Sequence, residues 1–250
     1  MTNTLFIGKV YHRFDSLPST NDWAAAFISK SKPPEGTVVR ADTQTAGRGQ
    51  FGSQWLSAPG QNLLLSVILY PNWLPIKDQF YLSMAIALAL HDTIDHPSAT
   101  IKWPNDLYLG HKKTAGILIQ NSIGGAYLQS TVIGIGLNVN QLDFDPLLPN
   151  PTSLAATLEH SIDLEALMQR LFICLEQRYL QLKAGRLVEI KTAYQVLLFR
   201  RNQVSKFVKS ADNTTFEGVI RGVEDSGHLR VELPDSVIVS FDLKEIGMVI

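Results

Sequence analysis

The segment VIGIGLNVN, at 132–140, constrains this chain more than any other. In an extended strand, alternate side chains point to opposite faces. Ile133, Ile135, Leu137 and Val139 then share one face, while Val132, Gly134, Gly136, Asn138 and Asn140 share the other. The first set is a core face. The second is nearly bare at its centre and ends in amides. Glycine inside a strand costs stability, so it marks a place where something lies close on the sheet. Two occupants fit: a ligand, or another part of the chain packed on the glycines. The pattern alone does not choose between them.

The surrounding sequence supplies a sheet for this strand. VYHRF opens as a strand and the chain turns at Pro18. Ser19, Thr20 and Asn21 are N-cap residues, and Asp22 falls where a helix dipole favours a carboxylate, so the alanine-rich run to about Ser31 is a helix. GTVVRADTQ and NLLLSVILY read as strands, the second buried. From Lys77 to about His96 the apolar residues Phe80, Met84, Leu88 and Ile94 follow a helical period. TIKW, DLYLGHKKTAGILIQ and AYLQSTVIGIGLNVN then form an antiparallel meander, with turns at Gly110-His111 and Gly124-Gly125 and a helix against one face. A proline-rich loop at 141–151 leads to three helices, with Thr152 or Ser153 and then Asp163 as caps. Beyond about Arg200, NQVSKFV, TFEGVIRGVE, HLRVEL and VIVSFDL are short alternating runs, the texture of an SH3-like barrel of about five strands. The expected class is α+β: a mixed or antiparallel central sheet with flanking helices over 1–198, and a small β-barrel over 199–250. A unit below ~70 residues is marginal alone, so the barrel is expected to pack on the main domain.

Bulk properties narrow the function. The 22 Lys and Arg nearly balance 23 Asp and Glu, and no basic run occurs, so a nucleic acid is not the expected main partner. The lone Cys174, among Phe172, Ile173 and Leu175, reads as a core thiol and fits a reducing compartment. No basic stretch followed by an apolar one opens the sequence, so a signal peptide is not expected, and the most apolar helical run, 81–90, falls short of the ~20 residues of a membrane span. A cytoplasmic protein is expected. The six histidines show no metal-ligand spacing, so no metal ligands are assigned. No GxSxG motif and no Cys/His pairing points to an enzyme nucleophile.

Three further stretches carry polar groups to strand ends. In TQTAGRGQFGSQW, Gly47, Gly49 and Gly52 permit close backbone approach, and the loop could form an anion-binding nest or a plain hairpin turn. It is neither a Walker A loop nor a dinucleotide fingerprint. Arg48, between two glycines, must reach across to something. In IKWPNDLYL, Asn105 and Asp106 suit a turn or a site at a strand end. In KKTAGILIQ, period two puts Lys113 and Gly116 on opposite faces. Both can address one ligand only through a bulge, or through a backbone contact at Gly116.

Taken in order, STN (Ser19, Thr20, Asn21), QTAGRG (44–49), Trp55, KWPND (102–106), KTAGIL (113–118) and GIGLNVN (134–140) resemble the biotin protein ligases. Each motif is weak alone; six in one order are specific. The resemblance covers about 10–140, and the C-terminal part by texture. It implies a class II synthetase-like biotin/lipoate ligase core with a C-terminal SH3-like barrel. It also implies a reaction. Biotin's carboxylate attacks the α-phosphorus of ATP, bound with Mg²⁺, to give biotinoyl-5′-AMP and pyrophosphate, and a lysine of the biotin carboxyl carrier protein of acetyl-CoA carboxylase then takes the biotin.

By the same resemblance, Ser19, Thr20 and Asn21 line the biotin head with Gln44 nearby. Arg48, with Gly47 and Gly49, forms the closing loop, and Lys113 sits between carboxylate and α-phosphate, with Gly116 on the same strand. Trp55, Asn105, Asp106 and Asn138 lie on the nucleotide side, over a floor of Gly134 and Gly136. Family members that repress transcription carry an N-terminal helix-turn-helix; here MTNTLFIGKVYHRF leads straight into the catalytic part, so DNA binding is not expected. Some members dimerise through the sheet, which leaves a homodimer open. The chain departs from the family where GRGRxGRxW is usual: Gln50 and Ser53 stand in place of arginines. A weaker grip on ATP or the adenylate is expected, unless Arg40 or Lys112 compensates. Two alternatives are a lipoate-type ligase and a biotin- or adenylate-binding protein that does not transfer. KWPND and GRG favour biotin over lipoate, and the presence of Lys113 counts against the second.

Overall fold

Leu63, Leu64 and Leu65 are adjacent apolar residues, so a strand that contains them must be covered on both faces. In the computed structural model, which describes residues 3–250, every position of that strand is buried. (The first two residues of the expected 1–198 unit lie outside the described part.) The strand is β3, Leu63–Leu69. The others of its sheet are β1 (Tyr11–Leu17), β2 (Val38–Gln44), β4 (Ala99–Lys102), β5 (Asp106–Leu109), β6 (Lys112–Gly124) and β7 (Tyr127–Leu137). The sheet order is β1-β2-β3-β7-β6-β5-β4, with β1 and β2 parallel and every other pair antiparallel. The sheet is therefore mixed, and β4 to β7 form the expected meander.

The parity of β7 sorts the two faces. Ile133, Ile135 and Leu137, with Val139 just beyond the strand, enter the main core. That core is closed by α2 (Gln79–Ile94), which packs on α4 (Leu164–Lys183) and α5 (Leu187–Val196). Most residues of α2 are buried, as expected for a helix apolar nearly all round. Val132 faces the other way, where it joins Ala24, Val39 and Ile68 under α1 (Thr20–Ser31). Ser19 Oγ caps α1 by accepting from Asp22 N–H at 3.3 Å. Ser153, rather than Thr152, caps the short α3 (Leu154–Leu158), and Asp163 caps α4. Cys174 is buried on α4, as expected.

The C-terminal strands β8 (Val204–Lys209), β9 (Thr215–Val223), β10 (Leu229–Glu232), β11 (Ile238–Phe241) and β12 (Ile246–Met248) make a five-stranded antiparallel sheet of SH3-like kind. Four come from the runs named above. The fifth, β12, is too short to show alternation. This sheet does not swing free. Phe207, Val223, Leu229 and Val231 belong to the same core as β3 and α2. Trp103 Nε1 donates to Gly227 O at 2.9 Å, and the Tyr81 hydroxyl to Asp225 Oδ1 at 2.7 Å.

Candidate active site

On the α1 side of the large sheet, beside the start of α1, the 47–55 loop, the turn between β4 and β5, and strands β6 and β7 enclose a cavity of about 290 Å³. All the expected site residues line it except Gly47 and Asn138.

One end of the cavity is a polar network. Gln44 Oε1, at the end of β2, accepts from Thr20 N–H at 2.7 Å and lies 3.0 Å from Thr20 Oγ1. Ser66 Oγ stands 2.6 Å from Asn21 Oδ1 and 2.8 Å from Thr20 Oγ1. Asn21 Nδ2 in turn reaches Leu118 O and Gln120 Oε1 at 3.3 and 3.2 Å. Thr20, Asn21 and Ser66 are all buried, so these bonds fix rotamers that would otherwise be costly to order. The sequence reading missed Ser66 and Gln120. The available signal for Ser66 was a single hydroxyl inside the apolar run of β3.

The glycine loop folds back on itself as a small hairpin. Trp55 N–H donates to Gly47 O at 2.9 Å, Gly49 N–H to Ser53 O at 2.7 Å, and Ser53 N–H to Gln50 O at 3.1 Å. Gly47 lies against the carbonyl of Trp55, too near for any side chain, so its role in this geometry is to close the hairpin. The tip is left-handed at Phe51 and Gly52, with φ of 54° and 81°. Phe51 is exposed, and Lys244 of the C-terminal sheet sits 5.5 Å from its ring centroid. Arg48 reaches back to the first turn of α1, where its guanidinium pairs with Asp22 Oδ1 at 2.6 Å.

The occupants of the bare face of β7 are side chains of this protein. Asn21 seats against Gly134, its Cγ 2.8 Å from the place a Cβ would take. Trp55 lies across Gly136 and Gly116, with Nε1 2.7 Å from a Cβ at Gly136 and Cζ3 2.8 Å from one at Gly116. Gly134 and Gly136 are thus less an open floor than a seat for Asn21 and an indole, and that indole becomes the surface offered to the cavity. Trp55 Nε1 is buried without a partner, a donor left for a ligand or a bound water.

Lys113 and Gly116 both face this cavity, and a bulge makes that compatible with a strand. Opposite β5, Leu107 pairs with Ala115 but Tyr108 pairs with Lys113, so Thr114 is the extra residue on β6. Lys113 Nζ then lies 2.7 Å from Asp106 Oδ1 and 5.5 Å from the centroid of the Trp55 ring. Asn105 clamps the neighbouring strand twice: its Nδ2 donates to Ile117 O at 2.8 Å, and its carbonyl accepts from Ile117 N–H at 2.9 Å. Asn138 stands apart from the cavity. It is buried, and its Nδ2 donates to Thr152 O at 3.0 Å, tying down the chain that enters α3.

Neither cation expected to compensate for Gln50 and Ser53 lines the cavity. Arg40 is buried and ion-paired with Glu165 on α4 and with Asp42. Lys112 is exposed and is not part of the wall. Beside Arg48 and Lys113, a third cation lines it, one given no role from sequence: Lys102 at the end of β4. Burial pushes its pKa below the ordinary lysine value; the Asp106 carboxylate opposes this and Lys113 adds to it. A second cavity of about 260 Å³ shares Gln50, Pro104, Asn105 and Ile117 with the first and opens toward Gly227 and Leu243 of the C-terminal sheet. Among the described residues, no three His, Cys, Asp or Glu come together in a way that could hold a metal ion. No helix among them is long and apolar enough to cross a membrane.

The site thus presents a rigid polar end, an aromatic wall, and cations at mid-cavity and in the glycine loop. That arrangement can bind a small polar ring and stabilise negative charge beside it. Comparison with known proteins gives the same direction. Residues 13–138 match the model of the biotin/lipoate A/B protein ligase family. The chain is 34% identical over 236 residues to the bifunctional ligase/repressor BirA of Bacillus subtilis, covering 91% of this chain and 70% of that protein. It is 29% identical over 205 residues to the biotin–[acetyl-CoA-carboxylase] ligase of Paracoccus denitrificans, covering 78% of this chain and 84% of that one. In fold it is similar to the biotin protein ligase of Aquifex aeolicus in complex with biotin and ATP, with a TM-score of 0.79, 22% identity, and coverage of 96% and 99%.

Proposed function

The chain belongs to the biotin/lipoate A/B protein ligase family, and on that premise we propose that it is a biotin–[biotin carboxyl carrier protein] ligase. It joins biotin to Mg-ATP as biotinoyl-5′-AMP, releasing pyrophosphate. It then passes the biotinoyl group to a lysine of the carrier subunit of acetyl-CoA carboxylase, releasing AMP. The magnesium enters with the nucleotide, held chiefly by phosphate oxygens and water.

The single observation that carries this reading is convergence. Segments spread over more than a hundred residues of sequence, each unremarkable alone, line one cavity of about 290 Å³. Their chemistry suits the two steps. The network of Thr20, Gln44, Ser66 and Asn21 has fixed donors and acceptors for the ureido end of biotin. Lys113, half-exposed and close to Asp106, has a charge to offer where the carboxylate meets the α-phosphate. Developing charge there is offset by groups already in place, so little reorganisation is needed at the moment of reaction. Arg48 can exchange Asp22 for an anion as the glycine loop closes, because the existing pair is solvent-exposed and weak. In the second step the acceptor amine attacks the acyl carbon, the acyl–phosphate bond breaks, and AMP leaves with the electron pair. Positioning supplies most of the rate in both steps.

In this reading residues 1–198 form the catalytic unit and 199–250 an SH3-like unit fixed against it. A cytoplasmic location suits the lone thiol of Cys174. A homodimer through the large sheet is compatible with this reading, and sedimentation of the purified chain tests it. The function itself is tested by incubating the protein with biotin, Mg-ATP and a carrier domain and measuring intact mass. A biotin-sized gain on the carrier, lost with Lys113→Ala, is expected. Acceptance of lipoate and refusal of biotin would overturn the assignment, and biotin or adenylate bound with no reaction would make the chain a binding protein.

A further inference from the structure

Phe51 is an unexpected residue at the tip of the glycine loop. Its φ of 54° and ψ of 33° lie in the left-handed region, which glycine or asparagine occupies at less cost. Gly52, beside it, is left-handed as well, at φ 81°. A loop that needed only to turn would carry a small residue at both places. The Phe51 ring is also 63% exposed, so neither burial nor backbone conformation accounts for it. It does have a neighbour. Lys244 Nζ of the C-terminal sheet lies over the ring, 5.5 Å from its centroid, within the range of a cation–π contact. The Lys244 side chain is exposed and forms no ion pair or hydrogen bond among the described residues, so this ring is what its charge meets.

The position of this contact gives it a use. Arg48, Gln50, Phe51 and Trp55 all wall the main cavity, so the loop already stands over it. The bonds within the hairpin, from Gly49 N–H to Ser53 O and from Trp55 N–H to Gly47 O, fix its shape but not its place. Its place depends on what it touches outside itself. Trp55 seats the base on Gly136. Arg48 ties one side to Asp22 on α1, through a pair that is exposed and weak. The tip has the C-terminal sheet. Phe51 borders a groove there with Val208, Leu243, Lys244 and Ile246. Gln50 and Leu243 meet again on the wall of the second cavity, so the tip and the 242–247 segment share a rim. That sheet is a firm anchor, because Trp103 and Tyr81 bond it to the main domain.

We propose that Phe51 and Lys244 latch the tip of the glycine loop to the C-terminal sheet, and that this latch sets how long the acyl-adenylate stays in the cavity between the two steps. Phe51 is a positioning residue in this: the ring holds the loop, and the loop covers the intermediate. The proposal rests on the ligase reading above. An adenylate that escapes is lost to water. The water oxygen attacks the acyl carbon, the acyl–phosphate bond breaks, AMP leaves with the electron pair, and the protons pass to solvent as the carboxylate re-forms. ATP is then spent with no carrier modified. One exposed ring against one ammonium is weak enough to open in every turnover, as admission of the acceptor lysine requires.

Two variants break the latch from its two sides. Phe51→Asn keeps a residue that tolerates the left-handed backbone and removes the ring. Lys244→Ala removes the ammonium from outside the loop. Release of preformed biotinoyl-AMP should quicken about two- to fivefold in each, the scale of one exposed cation–π contact. AMP production without a carrier should rise by a similar factor. The double variant should release no faster than the faster single one, because both remove the same contact. Phe51→Trp should hold the adenylate at least as long as the wild type. Unchanged release, slower release, or two effects that simply multiply would overturn the proposal. If the wild type makes no biotinoyl-AMP, the ligase reading fails first. Amide hydrogen exchange at Gly49, Ser53 and Trp55 of the empty protein then still decides. Faster exchange in Lys244→Ala supports the latch, and exchange equal to wild type overturns it.

Discussion

The indole of Trp55 lies across Gly136, with Nε1 2.7 Å from where a Cβ would sit. No side chain fits between them unless the indole shifts. Gly136→Ala should therefore cost ~1–3 kcal/mol by overpacking. For a chain of this size that lowers Tm by roughly 2–12 °C. In a Trp55→Ala background the same substitution should cost almost nothing, since its neighbour is gone. A double-mutant cycle by thermal or urea unfolding measures the coupling. Equal costs in both backgrounds would mean that Gly136 is required for some reason other than the indole.

Asp106 and Lys113 are joined across the bulge at Thr114. The pair is only partly buried, so its contribution to stability is modest, about 0–1 kcal/mol. Its contribution to function is larger, because Asp106 fixes where the Lys113 ammonium stands. Asp106→Asn keeps the shape and releases the lysine. Adenylate formation should fall at least ~10-fold, with little change in Tm. A large loss of Tm at unchanged rate would assign Asp106 to the fold instead.

Much of this was legible from period and turn chemistry. The parity of β7 separated Ile133, Ile135 and Leu137 from Gly134 and Gly136, and the two faces are as that alternation requires. The conflict between Lys113 and Gly116 allows either a bulge or a backbone contact at Gly116, because two residues three apart do not share the face of a regular strand, and the structure has the bulge. What lay on the glycines was not legible. Trp55 is some eighty residues from Gly136 in sequence, and only the tertiary fold brings it there. Lys102 has no role in the sequence reading for a similar reason: a lysine at the end of a strand looks like any solvated lysine, and only the tertiary fold puts it on the wall of the cavity. Arg40 was read as available because nothing local reveals Glu165, supplied by a helix 125 residues on.

Gln50 borders both cavities at the tip of the glycine loop. A neutral hydrogen bond there is worth ~0.5–1.5 kcal/mol, against ~1.5–3 for a charged one. Gln50→Arg should slow release of biotinoyl-AMP by about five- to tenfold, from a gain of ~1 kcal/mol or slightly more. Stopped-flow dilution of the preformed complex measures the rate. Unchanged release would mean that position 50 does not reach the adenylate.

Lys102 also makes a pH prediction with a definite sign. Burial lowers its pKa below the ordinary ~10.4 of lysine. The charged groups facing it are Asp106 on β5 and Lys113 on β6, and the Tyr108 hydroxyl, raised by burial, stays neutral over the same range. Between the lowered and the ordinary value the folded protein binds fewer protons than the unfolded chain. The destabilisation due to Lys102 is therefore fully present below the lowered pKa and is relieved as pH rises through that window. ATP affinity runs the other way. The phosphates favour the ammonium, so affinity should fall as pH rises through the window, and binding there should take up protons from solvent. Calorimetry of a non-hydrolysable ATP analogue, in two buffers of different ionisation enthalpy, reads the uptake directly. In Lys102→Met the uptake should largely vanish and stability near neutral pH should be equal or higher. Undiminished uptake in that variant would move the effect to Lys113.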